Sequence, residues 1–137
     1  MERVYCLQSG GTIRIRLWYN DAIMKDCIFC KIAAGEIPAR KLFEDDEILA
    51  FHDAAPQAPV HFLVVPRKHI RNIMEIPAED AALAGKLIDK AQELAARLGC
   101  GEKGARFVIN CKSDGGQTVD HLHVHVLGGR ALGWPPG

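Results

Sequence analysis

The segment His121-Leu122-His123-Val124-His125-Val126-Leu127 constrains this chain more than any other stretch. Side chains on a β-strand alternate between faces with a period of two. Laid out as a strand, the segment puts three imidazoles on one face, about 6.5–7 Å apart along the backbone. It turns Leu122, Val124 and Val126 to the other face, where a helix can cover them. A single strand histidine is usually an ordinary polar residue. Three in strict alternation, out of six histidines in 137 residues, are not accounted for in that way. Such a row can hold a metal, because neutral imidazole is a common ligand. It can also supply a nucleophile whose neighbours tune it or pass protons.

The rest of the chain supplies a frame for that strand. Ile28 to Ile32 opens a short helix that stops at Gly35, before Pro38. Lys41 to Phe43 and Ile48 to His52 flank the acidic turn Glu44-Asp45-Asp46-Glu47 and read as a hairpin. Val60 to Val65 is a β-branched and aromatic run ended by Pro66, which predicts a central strand. Pro77 starts one long helix with Glu79 and Asp80 in its first turn. Its apolar face is Leu83, Leu87, Ala91, Leu94 and Leu98, and Gly99 caps it. Arg106 to Asn110 is a further strand, and residues 111–120 form a polar loop. The turns between strands are mostly short. This predicts an α+β fold, a largely antiparallel sheet with one long and one short helix packed on one face. Residues 24–137 form the single domain. Residues 1–23 read as an N-terminal extension, non-native or disordered, in which Ile13, Ile15 and Leu17 alternate with Arg14 and Arg16 as a short strand would. Met24 is then an alternative start.

Charge and cysteine content narrow the function classes. Lys plus Arg and Asp plus Glu both number 17, so no global field favours nucleic acid or anionic lipid. A bound phosphate must be held by a local, shaped site. No apolar run approaches the ~20 residues of a membrane span. Five cysteines without a signal-like leader suggest reduced thiols in a cytoplasm.

The loop before the histidines, Ser113-Asp114-Gly115-Gly116-Gln117-Thr118, favours chemistry on a phosphate. Glycines let backbone N–H groups approach an anion, and Gln and Thr add donors. A Gly-Gly pair alone is more often a plain turn; beside three aligned histidines it can form a cradle.

On these residues the chain resembles the histidine-triad (HIT) superfamily, whose motif is His-Φ-His-Φ-His-Φ-Φ with Φ apolar. The likeness runs from Cys27 to Gly137 and takes in Ile28-Phe29, Phe43 to Asp46, Ala50 to Asp53, Pro56 to Pro59 and Ser113 to Gln117. The ending Leu127-Gly128-Gly129-Arg130 with Trp134-Pro135-Pro136-Gly137 resembles the Hint branch. That resemblance implies a homodimeric purine nucleoside phosphoramidase, which cleaves the P–N bond of adenosine 5′-phosphoramidates such as AMP-lysine and needs no cofactor for its chemistry. It implies His123 as nucleophile, and His125 and His61 as groups that contact the phosphate or manage protons. His121 would fix the tautomer of His123, and Thr118 would help protonate the leaving amine. It implies Asp53 as acceptor of the ribose hydroxyls, and Ile28, Phe29, Ile32, Phe51 and Ala54 as the slot for the base. Asn110, Gly116 and Gln117 would sit near the phosphate, and Trp134 near the partner subunit's site.

The resemblance also implies a structural zinc site. Some bacterial members bind zinc through a Cys-x-x-Cys pair and two histidines, matched here by Cys27, Cys30, His61 and His121. Two thiolates and two imidazoles suit tetrahedral zinc. The pair taken alone is equally readable as redox-active or simply buried. If His61 and His121 hold zinc, they are not free to serve a phosphate. Three other functional readings stand beside the phosphoramidase: a dinucleotide polyphosphate hydrolase, a nucleotide-binding interaction module without catalysis, and a metalloenzyme with zinc on the triad itself.

Overall fold

The computed structural model describes residues 26–137, together with the backbone of 4–8 and 12–16. Those two segments are strands β1 (Val4–Gln8) and β2 (Thr12–Arg16), paired antiparallel, and β2 falls on the alternating stretch read above. The rest of the reading of residues 1–23 lies outside the described residues.

From Asp26 onward the fold is α+β. Helix α1 (Ile28–Ala33) is followed by β3 (Lys41–Glu44), β4 (Ile48–His52) and β5 (Val60–Pro66). Helix α2 (Ala81–Ala95) comes next, then β6 (Ala105–Val108) and β7 (Val124–Gly128). The sheet order is β3-β4-β5-β7-β6, and every neighbouring pair is antiparallel. Short connections make this order the natural one for β3 to β5, because antiparallel neighbours need only a turn. The crossover through α2 places β6 at the far edge, and β7 fills the gap beside β5.

The long helix ends as its sequence requires. Its buried face is Leu87, Ala91, Leu94 and Ala95, with Leu83 and Leu98 partly covered. It then widens into a π turn, Ala96–Cys100, in which Gly99 takes φ +91°, a conformation that favours glycine.

The expectation that both helices share one face of the sheet is corrected. Helix α2 covers Ile48, Ala50, Phe62, Val64, Val124 and Val126. Helix α1 packs with Leu49, Phe51, Leu63 and Val65, the residues that alternate with the first set on β4 and β5. The reason lies in β5 itself. Its run Phe62 to Val65 is apolar on both faces, so both faces need cover.

The last strand also starts later than the histidine pattern suggests. The ladder begins at Val124, not His121. Ahead of it the chain leaves the sheet and lies against residues 66–70. The Leu122 N–H donates to the Ile70 carbonyl at 2.6 Å, and the His121 N–H to the Val119 carbonyl at 2.8 Å. The alternation of faces survives this departure, because Leu122 still joins Val124 and Val126 in the core under α2.

Candidate active site

A cleft of about 730 Å³ opens on the α1 side of the sheet. Pockets for small ligands span roughly 300–1,000 Å³. Its apolar wall includes Ile28, Phe29 and Ile32 from α1, Phe51 and Leu63 from the sheet, and Ala54; its polar wall includes Asp53, Thr118, His123 and His125. The slot and ribose residues read from the sequence are thus all brought together. Ile37, Pro38, Ala39, Arg40, His52, Pro56 and Val119 complete the lining and were not read from the sequence. They come from loops and strand ends with no periodicity of their own.

The geometry of His123 defines its chemistry. Its Nδ1 lies 2.6 Å from the backbone carbonyl oxygen of His121. A carbonyl only accepts, so Nδ1 carries the proton and Nε2 keeps its lone pair. Phe29 meets the ring edge-on at 5.2 Å and His125 does so at 4.9 Å. Burial holds its pKa below the ordinary imidazole range, against the opposing effects of the His121 carbonyl and the Asp53 charge. The ring is therefore neutral at pH 7. The bond that fixes the tautomer comes from the His121 backbone and not from its ring, which corrects the expected role of that imidazole.

A second network sets His125. The Gln57 backbone N–H donates to His61 Nδ1 at 3.0 Å, so the proton of His61 sits on Nε2. That Nε2 is 3.0 Å from His125 Nδ1, which must accept, leaving His125 with its proton on Nε2. Asp53 flanks the pair, with Oδ2 3.4 Å from His61 Nε2 and 4.0 Å from His125 Nδ1. Its Oδ1 accepts from the Ala55 N–H at 2.8 Å. Burial, with His123 and His61 alongside, pushes the His125 pKa down to about 4. His123 thus offers a lone pair and His125 an N–H on neighbouring rings of one cleft.

The polar loop 111–117 is folded on itself. The Gln117 side chain accepts from the Lys112 N–H and donates to the Arg71 and Val119 carbonyls. Its amide is occupied in shaping the loop, so the expected direct contact with a phosphate is corrected. Gly116 and Asn110 also lie outside the cleft lining. Thr118 is the loop residue that reaches the cleft. Trp134 is 83% exposed, on a tail tied to β6 by the bond from Arg106 to the Gly133 carbonyl.

The cysteine pair lies next to this site and has a different partner from the one expected. Cys27 caps α1 and its Sγ accepts from the Cys30 N–H at 3.5 Å, which turns both sulfurs to one side. His121 Nδ1 is 3.4 Å from Cys27 Sγ and 3.5 Å from Cys30 Sγ; His69 Nδ1 is 3.2 Å from Cys30 Sγ. The four donor atoms of Cys27, Cys30, His69 and His121 lie within 4.8 Å of one another. His61 is not among them. The register explains why. Leu63 faces His125 and His61 faces Leu127, so His61 sits beyond the His125 end of the triad while His121 is its opposite end. Six residues separate Leu127, opposite His61, from His121, a reach on the order of 20 Å for extended chain at ~3.3 Å each. The conflict between zinc binding and phosphate chemistry at His61 disappears with this correction. The signal for His69 was only its place just after Pro66, whose carbonyl accepts from His121 Nε2 at 2.7 Å.

The donor set fits zinc. His121 spends its Nε2 proton on Pro66, so Nδ1 presents a lone pair to the sulfurs. His69 Nε2 is buried with no hydrogen-bond partner among the described residues. Burial and the neighbouring Cys27 push the Cys30 thiol up to about 12, a cost that a bound cation reverses.

Comparison with known proteins agrees with this architecture. A family profile described as HIT domain matches residues 34–132. An uncharacterized HIT-like protein of Synechococcus elongatus is 55% identical over 113 residues, covering 82% of this chain and 98% of that protein. Among solved structures, a HIT family hydrolase from Legionella pneumophila is 51% identical with a TM-score of 0.79, covering 81% of this chain and 99% of that one. A histidine triad nucleotide-binding protein from Candida albicans is 31% identical with a TM-score of 0.69, covering 80% and 82%. The shared sheet, the intact triad and these matches together establish that the chain belongs to the HIT domain family.

Proposed function

We propose that this protein is a purine nucleoside phosphoramidase of the Hint type, hydrolysing adenosine 5′-phosphoramidates through a nucleotidyl-His123 intermediate. The observation that carries this reading is the 2.6 Å bond from His123 Nδ1 to the His121 carbonyl, which leaves a neutral ring with its Nε2 lone pair in a cleft of nucleotide size. The relative from Legionella pneumophila is named a hydrolase, and that from Candida albicans nucleotide-binding.

In the first step His123 Nε2 attacks phosphorus, the P–N bond breaks, and the amine leaves with a proton from the Thr118 hydroxyl side. His125 donates Nε2–H to a phosphate oxygen as charge builds there. The nucleotidyl-imidazolium keeps its Nδ1–H on the His121 carbonyl, which stabilises the positive charge. In the second step water attacks phosphorus and returns its proton to the Thr118 oxygen, the bond to His123 breaks, and AMP and the neutral ring are regenerated. Asp53 accepts the ribose hydroxyls, and Ile28, Phe29, Ile32, Phe51 and Ala54 enclose the base.

Cys27, Cys30, His69 and His121 would hold zinc. The ion supplies no reacting group; it braces α1 against the segment that carries His121, whose carbonyl orients the nucleophile. The protein acts as a homodimer. The edge strand β6 presents an exposed Phe107, and the exposed Ile88 on α2 borders an apolar cavity of about 360 Å³. Burying that edge suits a second copy.

The test is AMP release from an adenosine phosphoramidate, with the wild type exceeding His123→Ala. Equal rates would favour the interaction-module reading. Faster turnover of diadenosine polyphosphate would favour the dinucleotide hydrolase.

A further inference from the structure

We infer that Arg130, which lies outside the cleft, is a positioning residue that fixes the tautomer of His125 by holding residue Gln57, through its carbonyl, with its N–H against His61. The inference rests on the reading above that His125 presents Nε2–H to the phosphate.

The connection is continuous in the structure. Arg130 donates to the Gln57 carbonyl twice, from Nη2 at 2.9 Å and Nε at 3.3 Å. The N–H of that same residue donates to His61 Nδ1 at 3.0 Å. His61 Nε2 then meets His125 Nδ1 at 3.0 Å. A backbone N–H only donates, so the Gln57 N–H sets the direction of the bonds through His61 to His125, and Arg130, which only donates, holds Gln57 in place by its carbonyl. Without the Gln57 N–H, His61 is free to carry its proton on Nδ1 instead. Its Nε2 would then accept from His125 Nδ1–H, and His125 would present a lone pair to the phosphate in place of a donor. A repulsive contact would replace an attractive one at the reacting group.

The loop needs such a clamp. Gln57 lies between β4 and β5, is exposed, and its side chain reaches only as far as the Ala55 carbonyl. The chain after β7 is shaped to deliver Arg130 there. Gly129 takes φ +85°, and a Cβ at that position would come 2.9 Å from Pro59 Cβ. Glycine lets the chain turn hard against the loop and brings the next residue over Gln57. Arg130 Nη1 also bonds the Ala131 carbonyl at 3.0 Å, which limits the side chain's freedom.

The test compares wild type, Arg130→Ala and Arg130→Lys by imidazole ¹⁵N NMR at neutral pH and by kinetics on an adenosine phosphoramidate. In the wild type, His61 and His125 should both show the Nε2–H pattern. In Arg130→Ala both rings should shift toward mixed tautomers. Turnover should fall roughly tenfold with KM within about twofold, part of the ~10²–10⁴-fold that a positioned acid–base group supplies. Arg130→Lys keeps one donor and should fall between. Unchanged ring signals in a folded Arg130→Ala, or a wild-type His125 protonated on Nδ1, would overturn the inference. If no phosphoramidate is turned over at all, the ring signals still decide the positioning role, so the two readings fail separately.

Discussion

The Nδ1 atom of His123 and the carbonyl oxygen of His121 are joined at 2.6 Å, so one triad residue orients the next through its backbone. The imidazole of His121 is thereby released to face the sulfurs of Cys27 and Cys30. One short segment serves two sites.

The first prediction concerns the nucleophile. His123→Ala should lower AMP release from an adenosine phosphoramidate by roughly 10³-fold or more, since a group that forms the covalent bond is not replaced by the remaining machinery. Rapid quenching of the wild type with substrate should place a nucleotidyl mass on the peptide containing His123. An adduct on His125 or His61 would contradict the assignment.

Zinc content separates the two candidate ligand sets. The purified protein should carry about one zinc per chain, and His69→Ala or Cys30→Ser should lose it. His61→Ala should keep it. Zinc at 100 times its dissociation constant adds about 2.7 kcal/mol of stability. Chelation should therefore lower Tm by several degrees. Metal analysis and a melting curve with and without chelator check both points.

Asp53 lines the same cleft, and under the proposed function its contribution should be to sugar recognition. Asp53→Ala should reduce kcat/KM for AMP-amine substrates by about 10–100-fold, the loss expected for ~1.5–3 kcal/mol of hydrogen bonding to a charged group. The preference for ribose over a dideoxyribose analogue should vanish with it. A variant that still discriminates between the two sugars would remove Asp53 from this role.

Much of this could be read from residue order alone. The acidic hairpin turn and the apolar face of α2 follow from local periodicity and stand where their patterns put them, whereas of the alternating histidines only His125 lies on the strand itself. What could not be read depends on register. His61 lies within β5 and His69 just beyond its end, and nothing local says which one meets Cys30. The pairing of Leu63 with His125 decides it. Gln117 looked like a phosphate ligand because its side chain is a donor, but whether a donor is free depends on the fold of its own loop.

The depressed pKa of His125 gives a pH dependence with a definite sign. Its ring would ordinarily titrate near 6.5 and is pushed down to about 4 by burial, His123 and His61. Between those values the unfolded chain holds a proton there that the folded chain does not. Stability from this group therefore falls as pH drops from about 6.5 toward 4, and is independent of pH above that window. Urea midpoints at pH 7, 6 and 5 should decline in the wild type, and less steeply in His125→Gln. Parallel slopes would show that the ring is not held neutral.

Gly115 tests the catalytic loop. A Cβ there would sit 2.5 Å from the Cys111 carbonyl oxygen and 2.7 Å from the Cys111 nitrogen, both backbone atoms. Gly115→Ala must open the loop that leads to Thr118, at a cost of roughly 1–3 kcal/mol typical of overpacking. Gly116→Ala meets open space and should suffer only from its φ of +76°. Urea denaturation of the two variants, with turnover measured alongside, should show the larger loss for Gly115.

Because β5 is apolar on both sides, the sheet works as a partition between two rooms. Substitutions among Leu87, Ala91 and Leu94 alter a load-carrying room on the side of the sheet away from the cleft. Substitutions among Phe29, Phe51 and Leu63 reshape the working room while the opposite wall stays standing. Selectivity for a new base or amine can then be sought on one side of that wall, and thermal robustness on the other, by separate campaigns whose gains should combine.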